Sequence, residues 1–154
     1  MSRILALIIF VVLGQGAWAQ CRDTTVDLRG DWGQARFTVE VADTGDLRAL
    51  GLMHREYMSA GAGMRFVYDT PRPVAFWMRN TLIPLDMIFV GADGVVRKVH
   101  SMAVPQDETI IPGGDDIQFV LEINGGLAEK IGIDPGSQLR HPRVPQDGAA
   151  WACD

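Results

Sequence analysis

The sequence predicts a mainly β fold: a compact antiparallel β-sandwich or barrel-like domain with two short helices. Three observations point there. Short segments alternate apolar and polar residues with period two, Gly, Pro and Asp-Gly punctuation separates them, and only two brief stretches carry helix signals.

The elements follow in chain order. Val26 and Leu28, then Phe37, Val39 and Val41, alternate as in half-buried strands over residues 24–29 and 35–41. Asp43 or Thr44 can accept from free amides of a first helical turn, so a short helix is predicted through Leu47 and Leu50, ending at the Gly51-Leu52-Met53 turn. A third strand is predicted at Met64-Arg65-Phe66-Val67-Tyr68. Pro71 and Pro73 lack amide donors and restrict their predecessors, which predicts a break before Val74-Ala75-Phe76-Trp77-Met78. Residues 85–90 and 95–101 form a hairpin across Gly91-Ala92-Asp93-Gly94, where Asp-Gly supplies the positive φ of a tight turn. Residues 105–116 are rich in Pro, Gly and acid and read as a long surface loop. A buried strand over 117–123, a helix over 127–131 stopped by Gly132, a last strand around 138–141 and an irregular tail from Pro142 complete the chain. There are no internal repeats.

The N-terminus has the plan of a secretory signal. Arg3 precedes an apolar run over residues 4–13, and Ala17-Trp18-Ala19 supplies the exit, so cleavage after Ala19 is expected. Lipidation of Cys21 is the competing reading, disfavoured because Gln20 is not small. The apolar run is too short to span a membrane, and no later segment is longer. The expected organisation is a signal peptide over 1–19 and a single β-rich domain over 20–154 with its core at about 24–141, placed in the periplasm or secreted. An oxidising compartment makes a Cys21–Cys153 disulfide the favoured state of the two cysteines, with free or mixed-disulfide thiols as the alternative. Loss of Arg3 takes the formal net charge from −5 to −6; with no Lys/Arg cluster, nucleic acid is not expected as a partner, nor a membrane surface.

Chemistry is sparse. His54, His100 and His141 have no ligand spacing, so no metal site is expected. No Gly-x-Ser-x-Gly elbow, Walker loop or dinucleotide fingerprint occurs, and no cofactor is implied. The informative stretch is Trp77-Met78-Arg79-Asn80-Thr81-Leu82-Ile83-Pro84-Leu85-Asp86. Period two places Asp86 on the face of Ile88 and Val90, where an unpaired charge costs several kcal/mol. Arg79 and the amides of residues 80–83 are its nearest partners in sequence, so Asp86 is expected to pin that turn and pair with Arg79; a polar pocket floored by Trp77 is the functional alternative. Glu122 shares a strand face with Gln118 and Val120 and is expected to meet solvent.

Several strings together resemble one family: Gly51-Leu52-Met53-His54-Arg55, Gly63-Met64-Arg65-Phe66-Val67-Tyr68, Phe76-Trp77-Met78-Arg79-Asn80-Thr81-Leu82-Ile83-Pro84-Leu85-Asp86, Val120-Leu121-Glu122 and Gly132-Ile133-Asp134-Pro135-Gly136. They are similar to the domain of unknown function 192. The resemblance implies a compact, mainly β domain, often exported by bacteria, and brings no catalytic residues. Arg65, where the resemblance implies an apolar residue, and Gln118-Phe119 are departures.

Three functions follow as expectations. The leading one is a binding module for a small polar or sugar-like ligand, with Trp77, Arg79, Asn80, Asp86 and Glu122 as candidate site residues. The others are a hydrolase pairing Asp86 with Glu122, and an interaction domain without a pocket that docks an envelope protein.

Overall fold

Residues 20–153 are described by the computed structural model; the export signal expected over 1–19, and Asp154, lie outside the described residues. Strands β1 (Thr25–Gly30) and β2 (Gly33–Ala42) form the first antiparallel pair, with Val26 opposite Phe37 and Leu28 opposite Ala35. Thr44 then caps α1 (Gly45–Leu50), its hydroxyl accepting from the Leu47 amide, as its position in the sequence predicts. β3 (Ala62–Phe76) lies parallel to β2, and the residues between them supply the crossover that a parallel pair requires. β4 (Leu85–Val90), β5 (Val96–Ala103) and β6 (Ile111–Asn124) follow, then α2 (Leu127–Ile131) and β7 (Gln138–Arg140).

All seven strands belong to one sheet, in the order β5-β4-β6-β3-β2-β1-β7, and every neighbouring pair but β2–β3 is antiparallel. The sheet curls until its two edges meet. Val95 bridges Gln138, the Val96 amide donates to the Ser137 carbonyl at 2.8 Å, and the Leu139 amide donates to Gly94 at 2.7 Å. The architecture is therefore a curled half-barrel, the barrel-like form of the two predicted, with two short helices among the described residues.

Two predicted breaks are strand instead. Pro71 and Pro73 lie within β3, which runs on to Phe76 because its pairing with β6 shifts register around them, at Val67/Arg72 and Arg72/Val74. A bulge leaves residues unpaired, so a missing amide costs no ladder bond there. The loop predicted over 105–116 ends early, because residues from Ile111 onward pair with Phe76, Ala75 and Val74. Gly113, taken as a loop signal, instead lets the strand pass over the Phe89 ring, where a Cβ would collide. The tail forms no helix or strand from Pro142, yet it is tied down. Cys153 is bonded to Cys21, the Ala150 amide donates to the Asp93 carbonyl, and Trp151 has the guanidinium groups of Arg29 and Arg140 over its ring at 4.5 and 4.4 Å.

Period-two alternation gives the sheet two buried faces. The inner face gathers Val26, Leu28, Ile88, Phe119, Leu121 and Leu139 from both ends of the sheet, with Ala128 of α2 and Val144 of the tail closing it. On the outer face of β3, β4 and β6, Met64, Phe66, Met87, Phe89 and Val120 are covered by Leu52, Met58 and Met78 from the connecting segments. Arg65 points to the inner side and is fully buried, with Nε and both terminal nitrogens unpartnered among the described residues and the Phe119 ring 5.8 Å away. Burial lowers its pKa to about 10. A guanidinium sealed in this way opposes folding, so Arg65→Met is expected to raise unfolding stability by about 1–4 kcal/mol in urea denaturation.

Candidate functional site

The register between β4 and β6 decides where the two carboxylates go. Asp86 lies opposite Ile123, and Met87 lies opposite Glu122. Cross-strand partners share a face, so Asp86 points inward with Ile123 while Glu122 points outward with Met87. The sheet itself separates them, an arrangement that does not serve acid–base hydrolysis by the pair.

Asp86 is fully buried and accepts three backbone hydrogen bonds. Oδ1 takes the amides of Met102 and Gly126, each at 2.8 Å, and Oδ2 takes that of Ala128 at 2.7 Å. Gly126, the N-cap of α2, has no side chain to offer, and Asp86 supplies the missing acceptor from another strand. Met102 sits at φ 54, an uncommon conformation for a residue with a side chain, and its amide is held there by the same carboxylate. None of these donors is the predicted one: Arg79 reaches toward Glu108 instead, at 3.9 Å on the surface.

Glu122 is only 4 % exposed, contrary to the solvent-facing position expected for it. Alternation does place it with Val120, but segment 43–61 covers that face and removes the solvent. Its cross-strand neighbours are Met64 and Met87, and it makes no hydrogen bond or ion pair with any described residue. Burial pushes its carboxyl from the ordinary 4.5 up to about 8, so it is protonated at neutral pH.

This carboxyl lines a cavity of about 180 Å³ that opens to solvent beneath α1. Aromatic rings make much of the wall: Phe66, Tyr68, Phe76 and Trp77. Phe66 and Phe76 meet edge to face at 5.0 Å. Arg48 enters from α1, donating to the Asp43 and Val67 carbonyls at 2.8 Å each and lying 5.0 Å over the Tyr68 ring. Thr81, buried in the same wall, donates its hydroxyl to the Arg79 carbonyl. Gly51 ends α1 at φ 50, where a side chain would press on Phe66.

Of the residues singled out from sequence, the structure brings Trp77 and Glu122 to one cavity. Trp77 stands at its rim, 40 % exposed, with the Arg79 guanidinium 5.5 Å from its ring. Asn80, at φ 55, is exposed on the adjoining loop, its carbonyl accepting from the His54 amide. Asp86 lies across the sheet. A larger groove, about 410 Å³, lies beside Arg29, Asp31 and residues 134–138; there Arg29 is bonded to Gln138 and Ser137 to Asp134 and Trp32, while Asp31 is exposed to solvent.

Residues 26–141 match the profile of DUF192, a family described only as an uncharacterized ACR. The chain belongs to the DUF192 family. It is similar to a crystal structure of a protein of unknown function from Novosphingobium aromaticivorans, with 45% identity, TM-score 0.73, and 75% of this chain and 82% of that one covered. It is also similar to a Sinorhizobium meliloti structure provisionally described as a transcription regulator, with 39% identity, TM-score 0.74, and 78% and 94% covered. No curated protein matches.

Arg48, Tyr68, Phe76 and Thr81 complete the cavity and were not singled out from the sequence. Thr81 lies inside the Trp77 to Asp86 string and Phe76 directly precedes it, so both were within reach of the sequence, whereas Arg48 and Tyr68 arrive from distant elements that only the fold apposes.

Two outcomes are expected. Asp86→Asn replaces an acceptor with a donor facing backbone N–H groups, so urea unfolding should show a loss of about 2–3 kcal/mol. The folded chain keeps the Glu122 proton up to about pH 8, whereas an unfolded chain releases it near 4.5. The unfolded state then binds fewer protons, so stability falls as pH rises through that window, by at most about 1.4 kcal/mol per pH unit, and flattens above it. Burial lowers the His141 pKa from the ordinary 6.5 to about 4, which gives an opposing rise in stability up to about pH 6.5. Denaturation should therefore show the Glu122 slope in the parent chain between about pH 6.5 and 8, and its disappearance there in Glu122→Gln.

Proposed function

We propose that this DUF192 chain is an exported binding module whose outer-face cavity takes a small polar ligand, with Glu122 at the floor and Trp77 at the rim. The observation that carries the reading is the unpartnered carboxyl of Glu122. A buried carboxyl without a hydrogen-bond partner opposes folding, and a ligand able to bond to it recovers what folding gives up. Four aromatic residues around one unpartnered carboxyl, with the Tyr68 hydroxyl and the Trp77 indole N–H as further polar groups, fit the usual composition of a small-molecule site, mostly apolar with few orienting groups. At about 180 Å³ the space suits a ligand, or ligand head, smaller than those of typical 300–1,000 Å³ pockets. Arg79, its guanidinium 5.5 Å from the Trp77 ring, and the exposed Asn80 beside it in the chain lie outside the cavity lining, and in this reading they meet any part of the ligand that projects past Trp77.

Export is part of the same proposal. The N-terminal segment has the signal plan, and the Cys21–Cys153 bond is at home in an oxidising compartment. A sulfur engaged in a disulfide cannot also carry a lipid thioether, which favours simple cleavage after Ala19. No helix among the described residues is long and apolar enough to cross a membrane. The regulatory description of the Sinorhizobium protein is not carried over, because a net charge of −5 without a Lys/Arg cluster gives a phosphate backbone little to bind.

Thermal-shift screening of the purified protein against small polar compounds, monosaccharides included, tests the reading. Hits should lose at least about tenfold in affinity in Trp77→Ala, which removes a stacking wall. Hits that bind Trp77→Ala and Glu122→Gln as tightly as the parent chain would show that binding lies elsewhere.

A further inference from the structure

Resting on the reading of the Glu122 cavity as a binding site, we propose that its ligand is a small organic cation, a primary or substituted ammonium whose charged head meets Glu122 and whose alkyl part lies among Phe66, Phe76 and Trp77.

The donors and acceptors that line the cavity point to a cation. Arg48 donates through Nη1 to two carbonyls and lies over the Tyr68 ring, and Thr81 donates its hydroxyl to the Arg79 carbonyl, while the Tyr68 hydroxyl and Trp77 Nε1 make no hydrogen bond with a described residue. Glu122 is the only carboxyl among the lining residues. Glu122 is left with its whole capacity unmet. A neutral ligand can use at most the single O–H of the protonated acid and its remaining acceptor sites. An ammonium meets the ionised carboxylate with several N–H donors and a full opposite charge. The walls favour the same choice, since aromatic rings present negative faces to a cation and attract it most strongly where water is excluded.

The charges around the cavity set where the head sits. Tyr68 from β3 and Arg48 from α1 are the titratable or charged groups facing Glu122; β4 contributes Met87, and the segment after β3 contributes Trp77 and Thr81, none of which carries charge. Arg48 makes the α1 side unfavourable for a cation, so the ammonium is driven to the floor beside Glu122, and a ligand with a second positive charge is rejected.

Binding exchanges one proton. The neutral Glu122 carboxyl releases its proton to bulk water, and the ammonium enters with its own protons retained, leaving a carboxylate–ammonium pair and one hydronium equivalent in solution. The sign of this linkage separates the proposal from its neutral rival. An ammonium ligand must tighten as pH rises toward the carboxyl's own titration, whereas a neutral hydrogen-bond acceptor must weaken beyond it.

NMR titration of the purified protein with n-butylammonium chloride, its isostere 1-butanol, and N-methylacetamide tests this, with potassium chloride as the ionic-strength control. Butylammonium should bind, with affinity rising about tenfold per pH unit from about pH 6 to 8 and levelling off above. Glu122→Gln should abolish both the binding and its pH dependence, 1-butanol should not bind, and Trp77→Ala should weaken binding with the pH slope retained. Binding of 1-butanol or N-methylacetamide that depends on Glu122 and fades above about pH 8 would overturn the cation and leave the cavity as a binding site. No binding by any probe, or binding untouched by both substitutions, would overturn the cation and the binding site together. The pH slope of the parent chain is a separate readout should a variant fold poorly: a flat or inverted slope for butylammonium excludes ionised Glu122 as its partner.

Discussion

The grip of Asp86 on three backbone amides is the interaction on which the rest of this half-barrel depends. One carboxylate on β4 holds the end of β5 at Met102 and the start of α2 at Gly126 and Ala128, segments far apart in the chain. α2 is five residues long, too short to persist by its own hydrogen bonds, and its glycine cap contributes no side chain. Fixing α2 seats Ala128 in the inner core and sets the path into β7, where Leu139 bonds Gly94 and the preceding Gly136 and Ser137 bond Val96 to close the curl. A buried charge is normally a liability; here the donors aimed at it turn it into the joint that registers three segments.

The same sheet treats its second buried carboxyl in the opposite way. Asp86 and Glu122 occupy adjacent strands, yet the pleat sends them to opposite faces. The inward one finds three amides, while the outward one finds two methionines, a set of aromatic rings and an opening to solvent. A carboxyl fully served by backbone has nothing left to offer a ligand. One that folding leaves unserved beside a cavity keeps its bonding capacity, so the candidate chemistry belongs to Glu122. Arg65 shows the contrasting case: it too lacks a partner, but it is sealed into the inner face with no atom accessible, and so it weighs on stability without creating a site.

Where prediction from sequence succeeded, the determining forces were local. Thr44 caps α1 because its hydroxyl lies three residues from a free amide, and Asp93-Gly94 turns the β4–β5 hairpin because glycine adopts φ 80 without cost. The prolines of β3 misled because the ban on proline in a strand applies to paired positions, and the register shifts opposite β6 were not visible in one segment read alone. The loop predicted over 105–116 misled in the same way: Gly113 was chosen by the nearness of the Phe89 ring, a neighbour 24 positions away in sequence.

The chain by itself determined the strand alternation, both helices, the hairpin turn, the family and the suspicion attached to Trp77, Asp86 and Glu122, because periodicity and capping act between residues a few positions apart. Tertiary structure alone decided which carboxyl is served and which is left bare. That outcome rests on cross-strand register and on a connecting segment folded over the outer face, and both are long-range choices that place Arg48 and Tyr68 beside Glu122 and leave Asp86 behind the sheet.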